Sequence, residues 1–315
     1  MRVKLITAMV LLLFSAACSS LPGTVATVNG TEIERERFEA LHPEDYELVP
    51  DETASSLLLV TIHELFYRAA EEDLGLSISA EDRESAFTNR TQPARGIGDV
   101  DEVLANRGVT AERVRLEADL DALQSVVGPH LVRAEADGFD IDAAYESYLK
   151  AEGYVCVQQM LLGDTANLED IVDRVNGGES FGALAREFSL DNLAQRPDGE
   201  SGAGGDMGCS FPNSFGLGLA DAAIDESIPV GEAFGPIISD RGLHVMVVYE
   251  RELPALSNVR GEVVEAAVDT QAIDVFRTWA VSVLESADVT IHEAYGSWGP
   301  AEGTNGVPTV IPADG

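Results

Sequence analysis

From Tyr154 onward the chain keeps a rhythm that few folds accommodate. Val155 to Leu162 is an apolar run of strand length, and Leu168, Ile171, Val172 and Val175 then recur at helical spacing up to Gly177-Gly178. Ser180 stands where a helix N-cap belongs, before a short amphipathic segment through Phe188. A Pro/Gly-rich loop leads to Gly204-Gly205-Asp206-Met207-Gly208, and a further helix is expected around Leu217–Ile224, before Pro229 and Gly231. Two strands, Ala233–Ile238 and Leu243–Tyr249, flank Ser239-Asp240-Arg241-Gly242. Short helices between strand-length runs that close on a hairpin predict an α+β unit with a four-stranded sheet.

Length and charge narrow the function classes. A chain of 315 residues with 45% hydrophobic side chains has material for two folded units plus appendages. Twenty basic against 55 acidic residues give a formal net charge of −35, a field that repels phosphate backbones and excludes nucleic acid as a natural partner. No metal or cofactor site is expected. His63-Glu64 begins like a zinc-protease signature, but position 67 is Tyr, so the second metal ligand is missing.

The first residues address the chain for export. Arg2 and Lys4 precede an apolar run from Leu5 to Phe14 and the small residues Ser15, Ala16 and Ala17; the run is too short for a bilayer-spanning helix and reads as a signal peptide over 1–17. Ser-Ala-Ala-Cys resembles a bacterial lipobox, which implies a lipid on Cys18 and attachment to a membrane outside the cytoplasm. Ser15 is a departure from the Leu usual there. Simple secretion, or a soluble periplasmic protein, is the alternative, because Ser15-Ala16-Ala17 also fits ordinary cleavage. Cys156 and Cys209 remain; in an exported protein such a pair suits a disulfide better than a metal site.

After a linker at 18–24, Val25-Ala26-Thr27-Val28 reads as a strand and Asn29-Gly30 as a tight turn. Leu58, Ile62, Leu65, Phe66 and Ala69 form one helical stripe, and Leu116, Leu120, Leu123 and Val127 another, with Thr110 as its N-cap and Gly128-Pro129 expected to kink or interrupt it. A third helix is expected from Asp140, with Tyr145, Tyr148 and Leu149 on one face. Val263 to Leu284 reads as a helix and Asp288–Ile291 as a strand. The tail from Tyr295, rich in Gly and Pro, reads as extended and mobile.

Two resemblances join these pieces. Gly178-Glu179-Ser180-Phe181, Leu184-Ala185, Phe188-Ser189-Leu190-Asp191, Gly204-Gly205-Asp206-Met207-Gly208, Gly231-Glu232, Gly235-Pro236 and Gly242-Leu243-His244-Val245 resemble, in order and spacing, the parvulin-type peptidyl-prolyl isomerases. Val25 to Ile33 with the following helices, and Asp-Ile-Asp-x-x-Tyr-x-x-Tyr at 140–148, resemble the helical chaperone module of SurA- and PrsA-type foldases. The organisation so implied is a mainly helical module at 25–153, a parvulin domain with a four-stranded antiparallel sheet and surrounding helices at 154–252, a helix and strand at 253–293 returning to the first module, and a tail at 294–315.

The parvulin resemblance also implies a site. The family's paired histidines match Gln159 and His244; the glutamine is a departure, able to hydrogen-bond an imidazole but not to carry a proton. Asp191 matches a position that is Cys or Asp in the family, and Ser239 a supporting Ser/Thr. Phe215 and Leu219 match the apolar proline pocket. The strands holding Cys156 and Cys209 are neighbours in that fold, which favours the disulfide over two buried free thiols. No basic cluster lies beside the pocket, so phosphate-directed specificity is not implied. The partners implied are unfolded or folding exported proteins with Xaa-Pro bonds. A client-binding holdase with a degenerate isomerase domain is the alternative function.

Overall fold

The computed structural model describes residues 23–43, 47, 49–163, 168–216 and 218–313. The signal segment 1–17 and Cys18 lie outside the described residues. The chain forms two compact units, one of residues up to Val126 together with Ala280 onward, the other Val127–Trp279.

The first unit opens with β1 (Thr24–Val28) and β2 (Thr31–Glu34). Asn29 and Gly30 carry φ of 47° and 82°, the paired positive values of a two-residue turn that follows the right-handed twist of its strands. α1 (Arg35–Glu39) and α2 (Pro50–Glu72) follow; Pro50 stands at the start of α2, where no backbone donor is needed. α3 (Ala80–Arg95) has almost no apolar stripe and is started by a capping box between Ser79 and Asp82; α4 (Val100–Ala105) is capped by Asp99. α5 (Ala111–Arg133) begins where Thr110 Oγ1 accepts the Arg113 N–H at 3.2 Å.

Pro129 lies inside α5, which runs unbroken past it, contrary to the expected interruption. The reason is tertiary. Within the second unit, a Cβ at Gly128 would stand 2.6 Å from the Ala272 carbonyl oxygen, so a second helix backbone presses on α5 here and its packing outweighs one lost hydrogen bond.

The second unit continues with α6 (Ile141–Glu152), capped by Asp140, then β3 (Tyr154–Leu162), α7 (Leu168–Asn176), α8 (Phe181–Phe188), β4 (Asp206–Ser210), α9 (Leu219–Ile224), β5 (Ala233–Ser239) and β6 (Gly242–Glu252). Its sheet has the order β4-β3-β6-β5, antiparallel throughout. Alternation along the strands sorts side chains to two faces. Met160, Leu162, Val245 and Val247 pack with Leu168 and Ile171 of α7 and Leu184 and Ala185 of α8. Val155, Val157, Met246 and Val248 pack with Leu219 and Ala223 of α9.

α10 (Leu256–Ser286) starts earlier than its apolar stripe suggested. The compact units also cut the chain elsewhere than the motif boundaries at 153/154 and 252/253. α6 and α10 as far as Trp279 fall in the unit of the four-stranded sheet, and α6 is tied to the segment leading into α10 by Tyr145 Oη donating to the Pro254 carbonyl at 2.7 Å and to α10 itself by Tyr148 Oη donating to Glu262 at 2.6 Å. After α10, β7 (Val289–Ile291) pairs with β1, and Asn29 takes the Asp288 N–H on its side-chain oxygen at 2.8 Å.

The tail is not loose. β8 (Gly296–Pro300) and β9 (Pro308–Pro312) form an antiparallel hairpin, with Trp298 opposite Val310. Tyr295, 2% exposed, meets the Phe38 ring edge-on at 5.6 Å. The segment reads as mobile from its Gly and Pro, but those residues punctuate the ends and turn of a hairpin whose Val310 is buried. Among the described residues no helix is long and apolar enough to cross a membrane.

Candidate active site

The site grows out of strand alternation. Gln159 lies opposite Met246 and Leu161 opposite His244, so Gln159 and His244 are diagonal neighbours on the sheet face that also carries Val157 and Met246. β3 can be approached closely here because position 205 is glycine: a Cβ there would stand 2.4 Å from the Gln159 carbonyl oxygen, and its φ is +80°.

Four side chains named from the sequence come together. His244, 1% exposed, and Gln159, 3% exposed, form a 2.7 Å hydrogen bond between Nδ1 and Oε1. An amide oxygen only accepts, so Nδ1 carries the proton and Nε2 is the ring's acceptor. Ser239 Oγ lies 2.7 Å from Nε2 and donates to it. The Ser239 oxygen in turn accepts the Arg241 backbone N–H at 3.0 Å. At the other end Gln159 Nε2 donates to Asp191 Oδ2 at 3.4 Å, which turns the amide oxygen toward His244. Asp191, 8% exposed, is held by the Leu193 N–H on Oδ1 at 3.0 Å, and its own N–H donates to Ser189 Oγ at 3.2 Å.

Burial pushes the His244 imidazole below its usual pKa; the Arg241 guanidinium acts in the same direction, and Asp191 and Asp240 oppose it. The ring is therefore neutral at neutral pH, in agreement with the one-proton pattern of its two bonds. Such a centre holds aligned dipoles and a fixed tautomer next to apolar walls. It suits polarisation of a bound group without proton loss.

The apolar side of the site differs in detail from expectation. Phe215 is half-buried and, like Met207, Phe234 and Ile237, packs against the buried cluster of Val157, Leu219 and Met246, an apolar wall able to face a small ring. Leu219 is only 6% exposed and lies in the core beneath, with Val155 and Ala223. Met207 links wall and polar chain, its sulfur 3.9 Å from Gln159 Nε2. Met207, Phe234 and Arg241 carry no site signal in the sequence beyond the motif around Met207, yet the Arg241 guanidinium stands 3.6 Å from Asp191 Oδ2. An arginine in a polar turn carries no sequence signal for such a contact.

Cys156 and Cys209 lie directly opposite on β3 and β4 and are joined in a disulfide. With Glu250 they form a cluster of potential metal ligands, but bridged sulfurs offer no thiolate.

No family model matches the sequence. A foldase protein PrsA of Geobacillus sp. is 27% identical over 157 residues, 49% of this chain and 54% of that protein. A chaperone SurA of Chromohalobacter salexigens is 33% identical over 104 residues, 30% of this chain and 22% of that protein. The chain thus spans about half the length of the first of these curated relatives, and less of the second. Among solved structures, a peptidylprolyl isomerase PrsA from Bacillus cereus aligns with a TM-score of 0.48 at 16% identity, covering 83% of this chain and 91% of that one.

Proposed function

On the premise that this chain is a SurA/PrsA-like parvulin foldase, we propose that it is a peptidyl-prolyl cis-trans isomerase and chaperone that assists exported proteins outside the cytoplasm. Rotation about the bond before proline crosses a barrier of roughly 18–20 kcal/mol, and uncatalysed exchange takes tens to hundreds of seconds. No covalent bond has to break. A catalyst needs an apolar seat for the pyrrolidine ring and polar groups that favour the twisted amide over the planar one.

The observation that carries this reading is the polar chain Ser239–His244–Gln159–Asp191 running beside the half-buried Phe215, Met207, Phe234 and Ile237. In it the ring of a client proline seats against the apolar wall, and the carbonyl that twists out of the amide plane turns toward the polar side. Gln159 supplies the hydrogen bond that a second imidazole would make but not its proton, so the centre keeps one charge state around neutrality. Asp191 supplies the negative end of the chain.

The Cys156–Cys209 bridge supports an oxidising, extracytoplasmic compartment. Lipid attachment through Cys18 is part of the same proposal, with simple secretion as its alternative. Mass spectrometry of the mature N-terminus decides between them: a diacylglycerol-modified Cys18 supports the anchor, and an unmodified one removes it.

The isomerase reading is tested by a cis-to-trans assay on Xaa-Pro peptides with wild type, His244→Ala and Gln159→His. Catalysis by wild type and its loss in His244→Ala is the expected result. One observation favours a second reading: Gln159 cannot exchange a proton with His244, which fits a client-binding holdase with a degenerate isomerase domain. A wild type that suppresses client aggregation without accelerating isomerisation would establish it.

A further inference from the structure

Asp191 is the end of the polar chain that decides which way the Gln159 amide points. Carboxylate oxygens only accept, so Asp191 Oδ2 draws the Gln159 NH2 group toward itself and leaves Oε1 for His244 Nδ1. If the amide reversed, its NH2 group would face the ring, Nδ1 would become the acceptor, and the proton would move to Nε2. Ser239 would then have to accept from Nε2 instead of donating to it. The reversed arrangement presents the opposite dipole to the site, but it sets Gln159 Oε1 against Asp191 Oδ2, two acceptors, so it opens only when Asp191 is drawn away from the amide.

Arg241 touches both ends of this chain. It sits in the turn between β5 and β6, where Ser239 pairs with Gly242. Its backbone N–H donates to Ser239 Oγ at 3.0 Å, which leaves the serine proton to point at His244 Nε2. Its guanidinium faces Asp191 Oδ2 at 3.6 Å. The other arginines between β3 and β6 are engaged elsewhere: Arg174 with Glu179, Arg186 with Asp198, Arg196 with the Ser201 carbonyl, and Arg251 with the Ala223 and Ile228 carbonyls.

We propose that Arg241 is a positioning residue that closes the polar chain into a ring and thereby selects the Nδ1–H tautomer of His244. Its guanidinium holds Asp191 toward Gln159, and its backbone orients Ser239. The groups around His244 are Gln159 on β3, Met207 on β4, Ser239 on β5, Asp240 and Arg241 in the β5–β6 turn, and Asp191 beyond α8. Of the charged ones, Arg241 is the single cation against two carboxylates, so its removal leaves both carboxylates acting on the imidazole with no cation to oppose them. The effect on catalysis rests on the isomerase reading; the effect on the tautomer does not.

The test uses the mature chain with Arg241→Gln and Arg241→Lys, long-range 1H–15N spectra of His244, and the pH dependence of isomerisation of an Ala-Xaa-Pro-Phe peptide. The Arg241 side chain is 59% exposed, so either variant should keep the fold, and backbone 1H–15N dispersion checks this directly. In wild type His244 carries its proton on Nδ1. In Arg241→Gln the Nε2–H form becomes populated and the imidazole titrates at higher pH. There kcat falls roughly fivefold, about the worth of one hydrogen bond, while KM changes by less than about twofold. Arg241→Lys restores the wild-type tautomer because it restores the charge. An Arg241→Gln protein that keeps the Nδ1–H form and the wild-type titration overturns the proposal. A tautomer shift in a protein without isomerase activity at any pH sustains the positioning role and overturns the isomerase reading.

Discussion

Gln159 accepts the Nδ1 proton of His244 at 2.7 Å, diagonally across β3 and β6, with both residues almost wholly buried. A glutamine in this place acts as an acceptor of fixed sense, and much of the site's behaviour follows from it. Gln159→Leu would leave the Nδ1–H without a partner in a dry setting. The expected loss of stability is about 1–3 kcal/mol, read from urea unfolding midpoints, together with loss of the proposed isomerase activity. Gln159→Glu keeps an acceptor and adds a charge, so it should raise the His244 pKa and move the activity profile toward higher pH.

Stability should fall on mild acidification. The folded-state pKa of His244 is lowered, so between that value and the unfolded value near 6.5 the unfolded chain binds the extra proton. Stability is therefore insensitive to this group above about pH 6.5 and is lost as pH falls below it. His42 is shifted in the same direction by burial and by Arg113, so His244→Asn should flatten part of the slope, not all of it. Melting temperatures of both proteins across pH 5 to 8, on the order of the histidine range, measure the difference.

The disulfide ties edge strand β4, which has β3 as its partner in the sheet, across 53 residues of sequence. Replacing both Cys156 and Cys209 with Ala should destabilise the protein by about 2–4 kcal/mol, since a loop of that length is released in the unfolded chain. Because β4 also carries Met207, activity should fall alongside stability. Thermal melts with and without reductant check the first point, and peptide kinetics the second.

Truncation after Ala294 removes Tyr295 from its seat against Phe38 together with the β8–β9 hairpin. A loose tail would be dispensable. Here the loss of a buried aromatic should cost about 3–5 kcal/mol, visible as a lower melting temperature and faster proteolysis of the N-terminal unit.

The sequence alone determined the features that depend on local chemistry or on ordered spacing. Asn29-Gly30 could only make a tight turn, Thr110, Asp140 and Ser180 capped their helices, and the ordered motifs from Gly178 to Val245, through their resemblance to parvulins, implied the antiparallel sheet and the meeting of His244, Gln159, Asp191 and Ser239. Other features were decided only by tertiary packing. α3 is too polar to show an apolar stripe, and Pro129 is tolerated because another helix backbone lies against Gly128. The Gly and Pro of the tail have the same local preferences in a loose segment as in a hairpin; the burial of Tyr295 and Val310 selects the hairpin. Leu219 is in the buried cluster and Met207 only packs against it, because α9 turns its first residue into the core, which residue type does not encode. The contact of Arg241 with Asp191 joins residues 50 positions apart on surfaces with no periodic signal, and only the folded sheet brings them together.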